Sequence, residues 1–127
     1  MKITAVLMVE KIEPSLEFWV DRIGFQKTAE VPEDGALAFV ILQKDGAELM
    51  LQTRASVTAD MPVMAQRLHG QGIGLFLEVA DFDDLKRRIE GTEVLMEERT
   101  TFYGMREILV KEPGGFAVCF ASPIQKG

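Results

Sequence analysis

At 127 residues, with 47% apolar and 27% charged residues, the chain has room for one ordinary domain with a substantial core, and no stretch of it reads as disordered. A net charge of −6 and a pI near 4.8 argue against a nucleic-acid partner, which needs a clustered basic face. The single cysteine, Cys119, excludes an internal disulfide, and with no CxxC or Cys/His cluster to hold zinc the sequence fits a reducing, cytoplasmic setting.

The run from Met1 to Met8 is apolar for too few residues to span a bilayer and lacks a small-residue cleavage site, and Ile3 to Val9 reads as a first strand. Pro14 suits the first turn of a helix whose apolar side would be Leu16, Trp19, Val20 and Ile23, stopped at Gly24. Phe25 to Val31 and Leu37 to Gln43 follow as strands around a turn at Pro32 to Gly35. Asp45-Gly46 marks a second hairpin before a fourth strand, Ala47 to Gln52. Thr53 to Gln71 reads as a linker with about two helical turns in it.

The order then repeats. Ile73 to Val79 is a strand, Asp81 caps a helix built on Phe82, Leu85 and Ile89, and Glu93 to Thr101 is a strand with an exposed face. Met105 to Lys111 and Phe116 to Ala121 form a hairpin across Glu112-Pro113-Gly114-Gly115. Val9 and Val79 end equivalent strands 70 residues apart, and Gly46 and Gly115 open equivalent strands 69 residues apart. A near-constant offset means two copies of one βαβββ unit. Each half-sheet would have a helix-covered face and an open one, and two such sheets side by side would enclose a pseudo-twofold cleft.

Several motifs carry a family resemblance. They are Ser15 with Phe18-Trp19 and Ile23-Gly24-Phe25 in the first half, then Glu78-Val79-x-Asp81-Phe82-Asp83, Tyr103-Gly104-x-Arg106 and Glu112-Pro113-x-Gly115 in the second. In this order and duplication the chain resembles the vicinal-oxygen-chelate superfamily, which holds glyoxalase I, bleomycin-resistance proteins and extradiol dioxygenases. The resemblance covers all but the linker. It implies an α+β fold of two tandem βαβββ modules forming a pseudo-twofold cleft of curved mixed sheet, helices outside. Module one would span about residues 1–53, the linker 54–71 and module two about 72–123, all in one domain, with a homodimer as the expected assembly.

Metal-using members place His or Gln early in the first strand of a module and Glu in the middle of the fourth. Those positions here are Thr4, Met50, Gly74 and Cys119, with Glu48 the alternative to Met50 if the fourth-strand register shifts by one pleat. The resemblance therefore implies a member without metal or other cofactor. It would bind a small, largely apolar organic molecule, in the manner of bleomycin-resistance proteins. Strand alternation assembles the expected lining: Thr4, Val6 and Met8, then Glu48, Met50 and Gln52, then Gly74, Phe76 and Cys119. Arg106 joins them as a clamp for an anionic group, unless it pairs with Glu97 or Glu98.

The rival readings are a glyoxalase- or dioxygenase-like enzyme, with Glu48 or Glu78 as a base of raised pKa or with a displaced metal, and a partner-binding dimer without ligand. Trp19 and Cys119 read as core residues, and His69 as a charge at a helix C-terminus.

Overall fold

Asp34-Gly35 and Asp45-Gly46 both adopt positive φ (51° and 81°; 50° and 82°), as a two-residue type I′ hairpin requires. They fold β2 (Gln26–Glu33), β3 (Ala36–Lys44) and β4 (Ala47–Thr53) into an antiparallel meander. The first turn is thus tighter than the four residues expected. Pro32 stays inside β2, which it can do because β2 is the outer strand of its sheet and the ladder shifts register between Val31 and Pro32.

In the computed structural model, residues 2–68 and 72–124 are described; His69 lies outside them. The chain divides into two compact units, Met1–Gly70 and Gln71–Gly127. In the first, β1 (Ala5–Val9) pairs in parallel with β4, giving a mixed sheet in the order β1-β4-β3-β2. The second has β5 (Leu75–Glu78), β6 (Glu93–Thr100), β7 (Met105–Lys111) and β8 (Ala117–Pro123) in the order β5-β8-β7-β6, again with one parallel pair.

Register repeats as well as order. Val6 pairs with Met50 and Met50 with Ile41 in the first unit; Phe76 pairs with Cys119 and Cys119 with Leu109 in the second. Thr4 and Gly74, each two residues before these anchors, therefore hold equivalent places. The fold is α+β, two βαβββ modules.

Alternation sorts each sheet into two faces. Leu7, Val9, Val40, Leu42, Leu49 and Leu51 are buried on one side of the first, as are Ile108, Val110, Val118 and Phe120 on one side of the second. The expected helix of the first module begins as α1 (Glu13–Leu16) and continues as a π-helical segment, Glu17–Arg22, closed by the Ile23 N–H donating to the Phe18 carbonyl at 3.0 Å. Of the expected apolar side Trp19 and Ile23 are buried, while Leu16 and Val20 are only half-buried and, with the wider turn, Phe18 is buried instead.

Ser15 is buried on this helix and its hydroxyl has no hydrogen-bond partner among the described residues. A buried unsatisfied hydroxyl costs free energy that a methyl group does not, so Ser15→Ala should stabilise the protein by about 1 kcal/mol. A denaturation midpoint that falls instead would show that the hydroxyl is bonded.

The linker is more helical than expected. Thr53 caps α2 (Arg54–Asp60) by accepting the Ser56 N–H at 3.1 Å, Val57 anchors it in the core, and Pro62 begins α3 (Pro62–Arg67). In the second module Asp81 caps α4 (Phe82–Arg88), accepting the Asp84 N–H at 3.0 Å, with Phe82, Leu85 and Ile89 buried. Among the described residues no helix is long and apolar enough to cross a membrane.

Candidate functional site

The first module's other face is built in three rows across the sheet. Met8, Gln52, Phe39 and Val31 are successive cross-strand partners; so are Val6, Met50, Ile41 and Ala29; Glu48, Gln43 and Gln26 make the third. Partners across strands share a face, so the expected set Val6, Met8, Glu48, Met50 and Gln52 is brought together, with Thr4 at its end donating to Glu48 Oε1 at 3.0 Å.

The chain leaving β4 turns back over this face. Gln52 Nε2 donates to Ser56 Oγ of α2 at 3.0 Å, and α2 and α3 form the far wall of an open cavity of about 630 Å³. Its apolar walls include Val6, Phe39, Met50, Met61 and Met64, with Glu33 and Asp60 also lining it. The volume falls in the range of small-molecule sites. A second hollow, of about 620 Å³, has polar walls whose Lys2, Gln43 and Glu48 are already engaged with one another.

On the second module the equivalent face carries different chemistry. Its rows are Glu78, Ala121, Glu107 and Arg99, then Phe76, Cys119, Leu109 and Met96, with Gly74 placed before Phe76. Glu107 was not singled out in the sequence, yet its side chain is only 2% exposed. Oε1 accepts from Arg99 Nη2 at 3.0 Å and Nε at 3.2 Å, and Oε2 from Tyr103 Oη at 2.6 Å. The tyrosine hydrogen bond and then Arg99 hold its carboxyl below the usual range against the opposing effect of burial. Arg99 reaches Glu107 through the register shifts of β6, which strict alternation from sequence does not reveal.

Arg106 is not brought to this face. Its cross-strand partner is Ser122 and it alternates with buried Ile108 and Val110, which places it on the covered side. There it lies 4.6 Å from the centre of the Phe82 ring and pairs with Glu98 at 2.9 Å and Asp83 at 3.0 Å. Of the two partners weighed in the sequence it is Glu98 that it meets, in the pairing weighed against the clamp.

Neither candidate base has the environment such a role needs. Glu48 is held low by hydrogen bonds from Gln43, Lys2 and Thr4, the reverse of the shift expected for a base, and Glu78 is exposed. Cys119 is half-buried, and burial, followed by the charge of Glu107, pushes its thiol up and away from thiolate chemistry.

The donor set also fits a divalent ion poorly. Thr4 spends its hydroxyl on Glu48, Met50 offers a thioether, Gly74 has no side chain, and Cys119 holds its proton. Among the described residues no three His, Cys, Asp or Glu side chains gather where they could hold a metal.

Two mixed sheets with one strand order and one register define a paired-βαβββ protein. The chain belongs to the Glyoxalase/Bleomycin resistance protein/Dioxygenase superfamily, whose family model matches residues 3–120. No curated protein matches the sequence. Among solved structures, TioX from Micromonospora sp. ML1 is similar at a TM-score of 0.77 and 17% identity, over 98% of this chain and 99% of that one. Lactoylglutathione lyase from Agrobacterium tumefaciens gives 0.74 and 17%, over 96% and 92%. A glyoxalase/bleomycin resistance protein/dioxygenase family enzyme from Burkholderia phytofirmans PsJN gives 0.78 and 11%, over 95% and 97%. At these identities the likeness is one of fold.

Proposed function

We propose that the protein is a metal-free member of its superfamily that binds a small, largely apolar organic molecule against the open face of its first module. The observation that carries this is the pairing of Val6 with Met50 beneath a cavity of about 630 Å³, at a place where the residue types suit apolar contact and not metal ligation. An enzymatic reading is weaker, because Glu48 is held low and Glu78 is exposed. We further propose a homodimer, supported by exposed apolar side chains at Phe76, Leu95, Phe102 and Tyr103.

Elemental analysis with native mass spectrometry of the purified protein tests the main reading. The expected result is a co-purifying organic compound and no stoichiometric metal. About one equivalent of zinc, nickel, iron or manganese per chain would overturn it. Met50→Arg should abolish retention of the compound, whereas Cys119→Ser should leave it unchanged, since no thiolate takes part. Loss of retention in the serine variant would point to the thiol.

A further inference from the structure

The cavity of the first module also has a sign. Among the described residues of its lining, Glu33, in β2 at the hairpin to β3, and Asp60, the last residue of α2, are the only charged ones. No lysine or arginine pairs with either among the described residues. Asp60 is the last residue of α2, at the carbonyl end of that helix. A concave, largely apolar wall of low dielectric concentrates that field, and the chain's net charge of −6 does not oppose it.

The walls suit the same class of guest. Phe39 supplies an aromatic ring, and Met50, Met61 and Met64 supply flexible, polarisable thioethers. We propose that the first-module cavity selects an amphipathic organic cation, with an apolar body against Phe39 and the methionines and its positive charge between Glu33 and Asp60. This rests on the small-molecule reading above and adds the charge of the guest to it.

The test uses tetraphenylphosphonium and tetraphenylborate, ions of like size and shape but opposite charge, titrated into the full chain by calorimetry at low and high salt. The phosphonium should bind at least about tenfold tighter than the borate at low ionic strength, with the preference shrinking in high salt. The double variant Glu33→Gln/Asp60→Asn should weaken the phosphonium about tenfold, in keeping with two partly screened charges, and should not weaken the borate. Both residues are exposed and lack ion-pair partners among the described residues, so the fold should be retained. Met64→Arg, which brings a cation to the wall, should abolish phosphonium binding.

Equal affinity for the two ions, or a phosphonium affinity unchanged in the double variant, overturns the charge selection. If a neutral or anionic compound co-purifies and the phosphonium does not bind, the cation is overturned and the small-molecule reading stands. Protein that carries no compound and takes neither ion overturns both.

Discussion

Trp19→Ala should destabilise the protein by about 3–5 kcal/mol, the range for removing a large aromatic from a close-packed core. Trp19 is 1% exposed and meets the rings of Phe18 and Phe25 edge-on, with centroids 5.0 and 5.5 Å away. Its carbonyl also receives the Phe25 N–H at 2.9 Å, which ties the end of the π-helical segment to the start of β2. Against a total stability of order 5–15 kcal/mol for a domain, the loss leaves little margin. Equilibrium denaturation measures it, and Trp19→Phe should recover much of the loss. A cost under about 1 kcal/mol for alanine would mean that the ring is not part of the core.

The second large effect is expected at Glu107. Glu107→Ala should cost about 2–3 kcal/mol, because it removes the shared acceptor of Arg99 and Tyr103 and leaves a gap in the middle of the sheet face. Arg99 and Tyr103 are themselves accessible and recover solvation, which keeps the figure below that for a fully interior ion pair.

Acid titration separates the charge from the packing. The folded carboxyl is held below its ordinary value of 4.5, so its contribution is fully present above that value and is lost as pH falls through the folded pKa. The stability gap between wild type and Glu107→Gln should be flat from about pH 6 to 8 and narrow below about 4.5. A gap that stays constant into acid would show that the ionised carboxylate contributes nothing.

The fold was legible in the sequence because its signals are local. Asp34-Gly35, Asp45-Gly46 and Asp81 dictate turns and a cap through their own backbone preferences, and the offset of 70 residues between Val9 and Val79 marks the repeat. Alternation then placed Val6, Met50 and Gln52 on one face correctly. What was not legible depends on register and on elements whose role is decided by tertiary contact. The shifts along β6 bring Arg99 opposite Glu107, and the π-helical turn changes which residues of the first helix are buried. The wall formed by Met61 and Met64 comes from a stretch whose polar composition reads as linker until Thr53 caps it and Val57 anchors it. Arg106 shows the same limit, since its neighbours in sequence do not reveal that it sits over Phe82.

The irregular outer strands have a consequence for self-association. β2 is exposed along its whole length, carries Lys27, Glu30, Pro32 and Glu33, and loses register twice against β3; β6 carries Glu93, Glu97, Glu98 and Arg99 and slips twice against β7. The opposite margins, β1 and β5, are only 5 and 4 residues long. A fibril grows by adding strands to a long, straight, uncharged ladder, and neither sheet presents one. The same features that deny a growing fibril its template deny a partner chain a backbone docking rail, which leaves recognition to side-chain contacts.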